Sequence, residues 1–246
     1  MYDAVLAETV TITGAGGDPI EAYSARPLDG SPRGGVVVIH HMPGYDRESK
    51  EVVRTLAVGG YNAICPNLYW RVAPGAEPDD AAAQARAQGG KDDDELVGDV
   101  QGAVAWLKGL SNANGKVGTI GYCSGGRQSF LCATRLPINA AVICYGAFIV
   151  GDVPEGFPLR VRPLIGDADK VGCELLGLFG NDDKYPSPEH VAEIKAGLDA
   201  AGKTYEFHSY DGAGHSFFSV DRPAYRVEAA LDGWQKIWSF YGRLLG

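Results

Sequence analysis

Apolar and polar residues alternate loosely through Val5–Thr13 and again through Ile20–Ala25, the two-residue period of a strand with one covered face. Between them stands Gly14-Ala15-Gly16-Gly17-Asp18-Pro19, a composition that turns the backbone, so the two runs are expected to form an antiparallel hairpin. Val36-Val37-Val38-Ile39 then breaks the alternation. Four β-branched residues in succession fit a strand buried on both faces of a parallel sheet.

From there helical and strand-like stretches take turns. Glu48–Val58 reads as a helix, Asn62–Cys65 as a short strand, and the Pro- and Ala-rich stretch Pro66–Gly90 has no clear period. Asp92-Asp93-Asp94-Glu95 opens a helix running to Leu110, because negative charge favours the positive end of the helix dipole. Lys116–Tyr122, Ala140–Tyr145, Glu174–Phe179 and Tyr205–Tyr210 read as strands; Gly125–Arg135, Pro188–Ala201 and Pro223–Leu245 read as helices. Gly146–Lys170, with Pro154, Pro158 and Pro163, is expected as a long connection over the sheet edge. This alternation predicts an α/β architecture: a mostly parallel central sheet with helices on both faces, plus the N-terminal antiparallel hairpin. No repeat or linker interrupts the 246 residues, so a single domain over 1–246 is expected. Reactive groups in such a sheet belong at the carboxyl ends of its strands.

Composition narrows the chemistry. A net charge of −9 opposes non-specific binding to nucleic acid or anionic lipid, which leaves a small molecule as the expected partner. No apolar stretch approaches the roughly 18 residues of a membrane span. The first thirty residues carry Glu8, Asp18 and Glu21 among short apolar runs, unlike a secretory signal. Cys65, Cys123, Cys132, Cys144 and Cys173 are odd in number and widely spaced, an arrangement that suits a reducing, cytoplasmic setting better than a disulfide framework.

Gly121-Tyr122-Cys123-Ser124-Gly125-Gly126 joins an expected strand to an expected helix and has the pattern of a nucleophile elbow with Cys in place of Ser. Glycines at 121 and 125 give room for the sharp turn that presents residue 123, and the helix N-terminus favours a thiolate there. By itself the motif is also compatible with a nucleotide-binding turn around a buried, inert Cys. Chain order adds to it. Asp182 and Asp183 follow the strand ending at Phe179, and His215 follows the strand ending at Tyr210, the order nucleophile, acid, histidine. Either aspartate could instead cap a helix, and the histidine could serve a turn.

With these residues in view, the chain resembles the dienelactone hydrolase (carboxymethylenebutenolidase) family over nearly its whole length. The matching stretches are Gly121–Gly126, Cys65-Pro66-Asn67-Leu68-Tyr69-Trp70-Arg71-Val72-Ala73-Pro74-Gly75, Asn114-Gly115-Lys116-Val117-Gly118 and Gly212-Ala213-Gly214-His215-Ser216-Phe217. The resemblance implies the α/β-hydrolase fold and a cysteine hydrolase of esters or lactones, with Cys123, Asp182 and His215 as the triad. Asp182 is preferred to Asp183 because the spacing to Pro186 and Pro188 then agrees. Arg71 matches a family arginine that holds the substrate carboxylate, which extends the expected substrate to an anionic ester or lactone; the alternative is a surface ion pair. Two family features are replaced. Ser219 stands where a second arginine follows the histidine, and His41 stands where a glutamate contacts the nucleophile, so His41 is expected to tune Cys123.

The expected reaction follows. Thiolate at Cys123 attacks the carbonyl, backbone N–H groups of Ser124 and Met42 hold the oxyanion (Pro43 has none to offer), and His215 serves the leaving group and then water. Tyr45, Tyr69, Trp70, Tyr122 and Tyr145 are candidates for an aromatic pocket, or for core. No cofactor is called for. A metal held by His40, His41 and an aspartate from Asp182 or Asp183 is disfavoured, since neighbouring side chains on an extended chain diverge and no zinc spacing occurs. Two further readings stand beside the family activity: a broader carboxylesterase or thioesterase, and a non-catalytic redox-sensing or ligand-binding relative.

Overall fold

The computed structural model describes residues 4–246. Among the described residues eight strands form one sheet: β1 (Val5–Thr13), β2 (Pro19–Pro27), β3 (Arg33–Ile39), β4 (Asn62–Pro66), β5 (Ala113–Tyr122), β6 (Ala140–Cys144), β7 (Glu174–Gly180) and β8 (Tyr205–Tyr210). Their order across the sheet is β1-β2-β4-β3-β5-β6-β7-β8. The expected hairpin is present as the antiparallel pair β1–β2, and β2 also runs antiparallel to β4; all pairs from β4 through β8 are parallel.

Successive β3 side chains show why four β-branched residues occur together. Val37 and Ile39 enter one core with Ile64, Leu96, Phe130 and Phe179, whereas Val36 and Val38 enter the other with Leu56, Ile120, Phe240 and Tyr241. The helices α1 (Arg47–Val58) and α6 (Val227–Leu244) contribute to the second core. The first is covered by α3 (Asp93–Lys108), α4 (Ser124–Arg135) and α5 (Pro188–Ala200). Asp92 caps α3, its side chain accepting from the backbone N–H groups of Asp94 and Glu95, which is the local reason for the acidic start.

Two regions differ from the sequence reading. Pro66–Gly90 contains α2 (Pro78–Ala87), whose buried face is only Ala81, Ala82 and Ala85, so its apolar stripe is too weak to stand out in the sequence. The connection Gly146–Lys170 does more than cover an edge. Its Arg160 N–H donates to Gly89 O at 2.7 Å, crossing to the end of α2 and walling a cavity at the carboxyl ends of the strands. Among the described residues no helix is long and apolar enough to cross a membrane.

Candidate active site

Cys123 sits between the end of β5 and the first residue of α4, with φ 56° and ψ −120°, a left-handed conformation that L side chains seldom adopt. The neighbouring glycines make the turn possible. A Cβ on Gly121 would lie 1.9 Å from Gly125 O, and one on Gly125 would lie 2.2 Å from Ile39 O. Because β5 is central, flanked by β3 and β6, the thiol emerges mid-sheet, facing the loops that follow β3, β6, β7 and β8.

His215 lies in the turn after β8, where the buried rings of Phe217 and Phe218 anchor the loop and Tyr145 meets the imidazole edge-on with centroids 5.0 Å apart. Its Nδ1 is 2.8 Å from Asp183 Oδ2, so the sequence assignment of Asp182 as orienter is corrected to Asp183. The backbone sorts the two. Asp182 N–H donates to Ala213 O, and its side chain is exposed at the rim of the cavity. Asp183 turns inward with 3% of its side chain exposed, and its Oδ1 accepts from Tyr185 N–H at 2.9 Å. Nothing in two adjacent aspartates signals which one the turn will bury.

Burial pushes the Cys123 thiol up. The hydrogen bond and charge of His215, with the backbone N–H groups of Ser124 and Met42, outweigh that burial and hold the thiol below its ordinary value. Burial likewise pushes His215 down, but Asp183 and Cys123 raise it to about 10. The arrangement therefore favours a thiolate–imidazolium pair. The two N–H groups expected as oxyanion donors, from Ser124 and Met42, are the two backbone donors that bear on this sulfur.

The loop after β3 is braced by neighbours. His40 is buried; its Nδ1 faces His41 O at 2.9 Å, so it carries the proton, and its Nε2 accepts from Leu68 N–H at 3.2 Å. Burial first among causes lowers its pKa to about 4, and the ring stays neutral. Tyr69 donates to Met42 O at 3.1 Å, bracing the residue whose N–H bears on the sulfur. His41 does not face Cys123: its Nε2 is 2.6 Å from Asp46 Oδ2, and the expected tuning contact is absent. Asp46 draws it away because it caps α1, its other oxygen accepting from Ser49 N–H at 2.9 Å. Burial opposes ionisation of Asp46, yet His41 and Ser49 hold its carboxyl down to about 2. Among the described residues, His41, Asp46 and Glu48 are the one group able to hold a metal ion, with ligand atoms within 4.8 Å, and both Asp46 oxygens are already engaged.

Arg71 is also elsewhere. Its guanidinium forks onto Asp99 with two contacts of 2.9 Å and reaches Asp18 at 2.7 Å, Glu95 at 3.2 Å and Ala15 O at 3.0 Å, well occupied beneath the β1–β2 turn and outside the cavity. Its partners lie in the hairpin and α3, far along the chain, which is why the Leu-Tyr-Trp-Arg match concealed them. Of the aromatic candidates only Tyr69 lines the cavity. Tyr45, Tyr122 and Tyr145 are buried in the second core, Trp70 packs on the first, and Ser219 is buried. Alternation near a strand end sends as many rings into core as toward the site.

The cavity is about 530 Å³, and Cys123, Ser124, Met42, Asp183 and His215 all border it. Sequence reasoning missed Arg86, in the last turn of α2, which borders the cavity and forms no ion pair among the described residues. It went unnoticed because α2 itself did. Lys91, Arg127 and Lys184 also line the space; Lys91 is paired with Glu95 and Asp99, and Arg127 with Asp93, whereas Lys184, like Arg86, forms no ion pair among the described residues.

The chain is similar to known proteins over nearly its whole length. The profile of the Dienelactone hydrolase family matches residues 20–245. A carboxymethylenebutenolidase of Pseudomonas putida is 30% identical over 231 residues, covering 92% of each chain. A provisionally named carboxymethylenebutenolidase of Methylorubrum extorquens is 33% identical over 231 residues, 90% of this chain and 76% of that one. The crystal structure of a provisionally named dienelactone hydrolase from Klebsiella pneumoniae superposes with a TM-score of 0.87 at 27% identity, covering 98% of this chain and 100% of the other.

Proposed function

The chain belongs to the dienelactone hydrolase family and is a hydrolase acting on small-molecule ester or lactone bonds; we propose that it works with Cys123 as nucleophile, His215 as acid and base, and Asp183 as orienter. The observation that carries this reading is the continuous chain of interactions from the Cys123 sulfur through His215 to the buried Asp183 carboxylate. In the reaction, the thiolate adds to the carbonyl carbon and the C=O electron pair moves to oxygen. The backbone N–H groups of Ser124 and Met42 stabilise that oxyanion. Collapse breaks the C–O bond as the imidazolium of His215 gives its proton to the leaving alkoxide, leaving a thioester on Cys123. Neutral His215 then takes a proton from water, hydroxide adds to the thioester, and the acid departs as the thiolate returns. Asp183 keeps the Nδ1 proton in place and stabilises the charged ring.

Arg86 and Lys184 are the residues best placed to receive an anionic group on the substrate, since both border the cavity and neither has an acid partner among the described residues. The five cysteines are all free, which supports a reducing, cytoplasmic location. Acyl-enzyme trapping tests the assignment. Rapid acid quench during turnover of a slow ester, followed by mass spectrometry of peptides, is expected to find the acyl group on Cys123 in wild type and nowhere in Cys123→Ala; an acyl group on another residue would overturn it.

A further inference from the structure

We propose that Phe148, Phe157 and Tyr185 form a subsite for a planar ring of the substrate, so that the ester or lactone hydrolysed is ring-bearing and larger than a dienelactone. This rests on the hydrolase reading of Cys123 and adds the substrate class to it.

Size is the first argument. A cavity of about 530 Å³ would hold about 18 waters at roughly 30 Å³ each, whereas a carboxymethylene-butenolide has about ten non-hydrogen atoms. The space belongs to the range that takes larger organic ligands. The wall is the second argument. Phe148 and Phe157 come from the two ends of one stretch of the connection after β6, and Tyr185 from the loop after β7, yet both outer rings meet Phe148, at centroid distances of 5.2 and 5.6 Å. All three border the cavity. Phe157 and Tyr185 remain 42% and 40% exposed, while Phe148 is buried behind them. Rings left half-open beside a cavity are surface that a ligand can cover, and aromatic pairs favour a further planar partner at such spacings.

The backbone is shaped to hold this wall. Phe148 has φ 59°, a conformation a bulky residue adopts only when its surroundings enforce it, and such outliers gather at functional sites. The connection is pinned beyond Phe157. Arg160 N–H donates to Gly89 O at 2.7 Å, Leu159 lies where a side chain on Gly90 would be, and Arg127 donates to Arg162 O at 2.9 Å. Phe157 N–H closes a turn onto Pro154 O at 3.0 Å, which presents its ring at the mouth. Specificity of this kind is worth about 10- to 200-fold per apolar group matched.

The test compares ethyl acetate with naphthylmethyl acetate and methyl naphthylacetate, which keep an alkyl-alcohol leaving group and place the ring in the alcohol or the acyl half. Wild type is expected to favour at least one naphthyl ester over ethyl acetate by about tenfold or more in kcat/KM, chiefly through KM. In Phe157→Ala and Tyr185→Ala that ratio is expected to fall by about tenfold. A ratio near one in wild type, or one that neither substitution changes, would overturn the subsite. If no ester is cleaved and no thioester forms on Cys123, the chemistry assigned to the thiol fails. The subsite is then read from naphthylacetate binding to Cys123→Ala by calorimetry: a Kd weakened about tenfold by adding Phe157→Ala upholds it, and an unchanged Kd or no binding rejects it.

Discussion

Two clusters of charged side chains lie within the same sheet-and-helix layers, and their difference lies in what is left over. Around Arg71, every group is matched: Asp99 is wholly buried and takes two contacts from the guanidinium, one from Lys91 and one from the Ala15 N–H, with Asp18 and Glu95 closing the remainder. The Cys123–His215–Asp183 chain ends instead on a sulfur that faces a cavity. Internally satisfied charge holds segments together, here the β1–β2 turn against α3. Charge whose last member opens onto a cavity is available for chemistry.

The sharpest way to break this contrast is to alter the open cluster. Cys123→Ala is expected to lower kcat by about 10⁴-fold or more, and Asp183→Asn by about 10³- to 10⁴-fold, since the wrong imidazole tautomer would be favoured. Asp182→Asn should remain within about twofold. Steady-state rates on one ester decide it: a loss at Asp182 and not Asp183 would reverse the orienter assignment.

The closed cluster should respond in stability. Asp99→Ala leaves Lys91 and most of Arg71 buried without their shared carboxylate, and the expected cost is about 3–5 kcal/mol in urea unfolding. The folded fraction should keep kcat within about threefold. A large rise in KM for an anionic ester, with stability unchanged, would return this cluster to substrate binding.

These two clusters also mark how much could be read from the chain. The elbow was legible because its glycines are steric necessities within six residues, and His215 because Gly212–Phe217 puts a lone histidine just after a strand. The β-branched run of β3 and the alternation after it disclosed the sheet for the same reason: period and composition are local. Arg71 was misread because its four acidic and carbonyl partners lie 24 to 56 residues away. Asp183 was passed over because a single-residue choice within a turn depends on which peptide meets Ala213. Arg86 and the wall built by Phe148, Phe157 and Tyr185 were invisible for a related reason: three segments meet there, one on an alanine-faced helix with no clear period.

A smaller effect concerns pH. His215 is raised above its unfolded value of 6.5 to about 10, so its contribution to folding is complete below pH 6.5 and is lost as pH rises through about 10. Cys123 is depressed below 9.0, so its contribution is present above that value and is lost as pH falls through its folded pKa. Alkylation by iodoacetamide reads the thiolate directly. The wild-type rate is expected to remain high at neutral pH, and His215→Ala to reduce it about tenfold there by letting burial raise the thiol. Equal rates would show that the pair is not coupled.

The smallest expected effect separates His41, in the loop after β3, from His215, in the turn after β8. If His41 tuned the nucleophile, replacing it would shift the thiolate titration of Cys123; if it serves the loop, only stability would change. Its ring is 2.6 Å from an Asp46 carboxylate that also caps α1, and His215 with the Ser124 and Met42 N–H groups accounts for the depressed thiol without it. His41→Ala is therefore expected to leave the curve of alkylation rate against pH superimposable on wild type. It should cost about 1 kcal/mol in urea unfolding, the ordinary worth of a hydrogen bond at a partly buried cap. A displaced curve would place His41 back among the groups acting on Cys123, and would mean that the loop after β3 transmits charge as well as holding the oxyanion donor proposed at Met42.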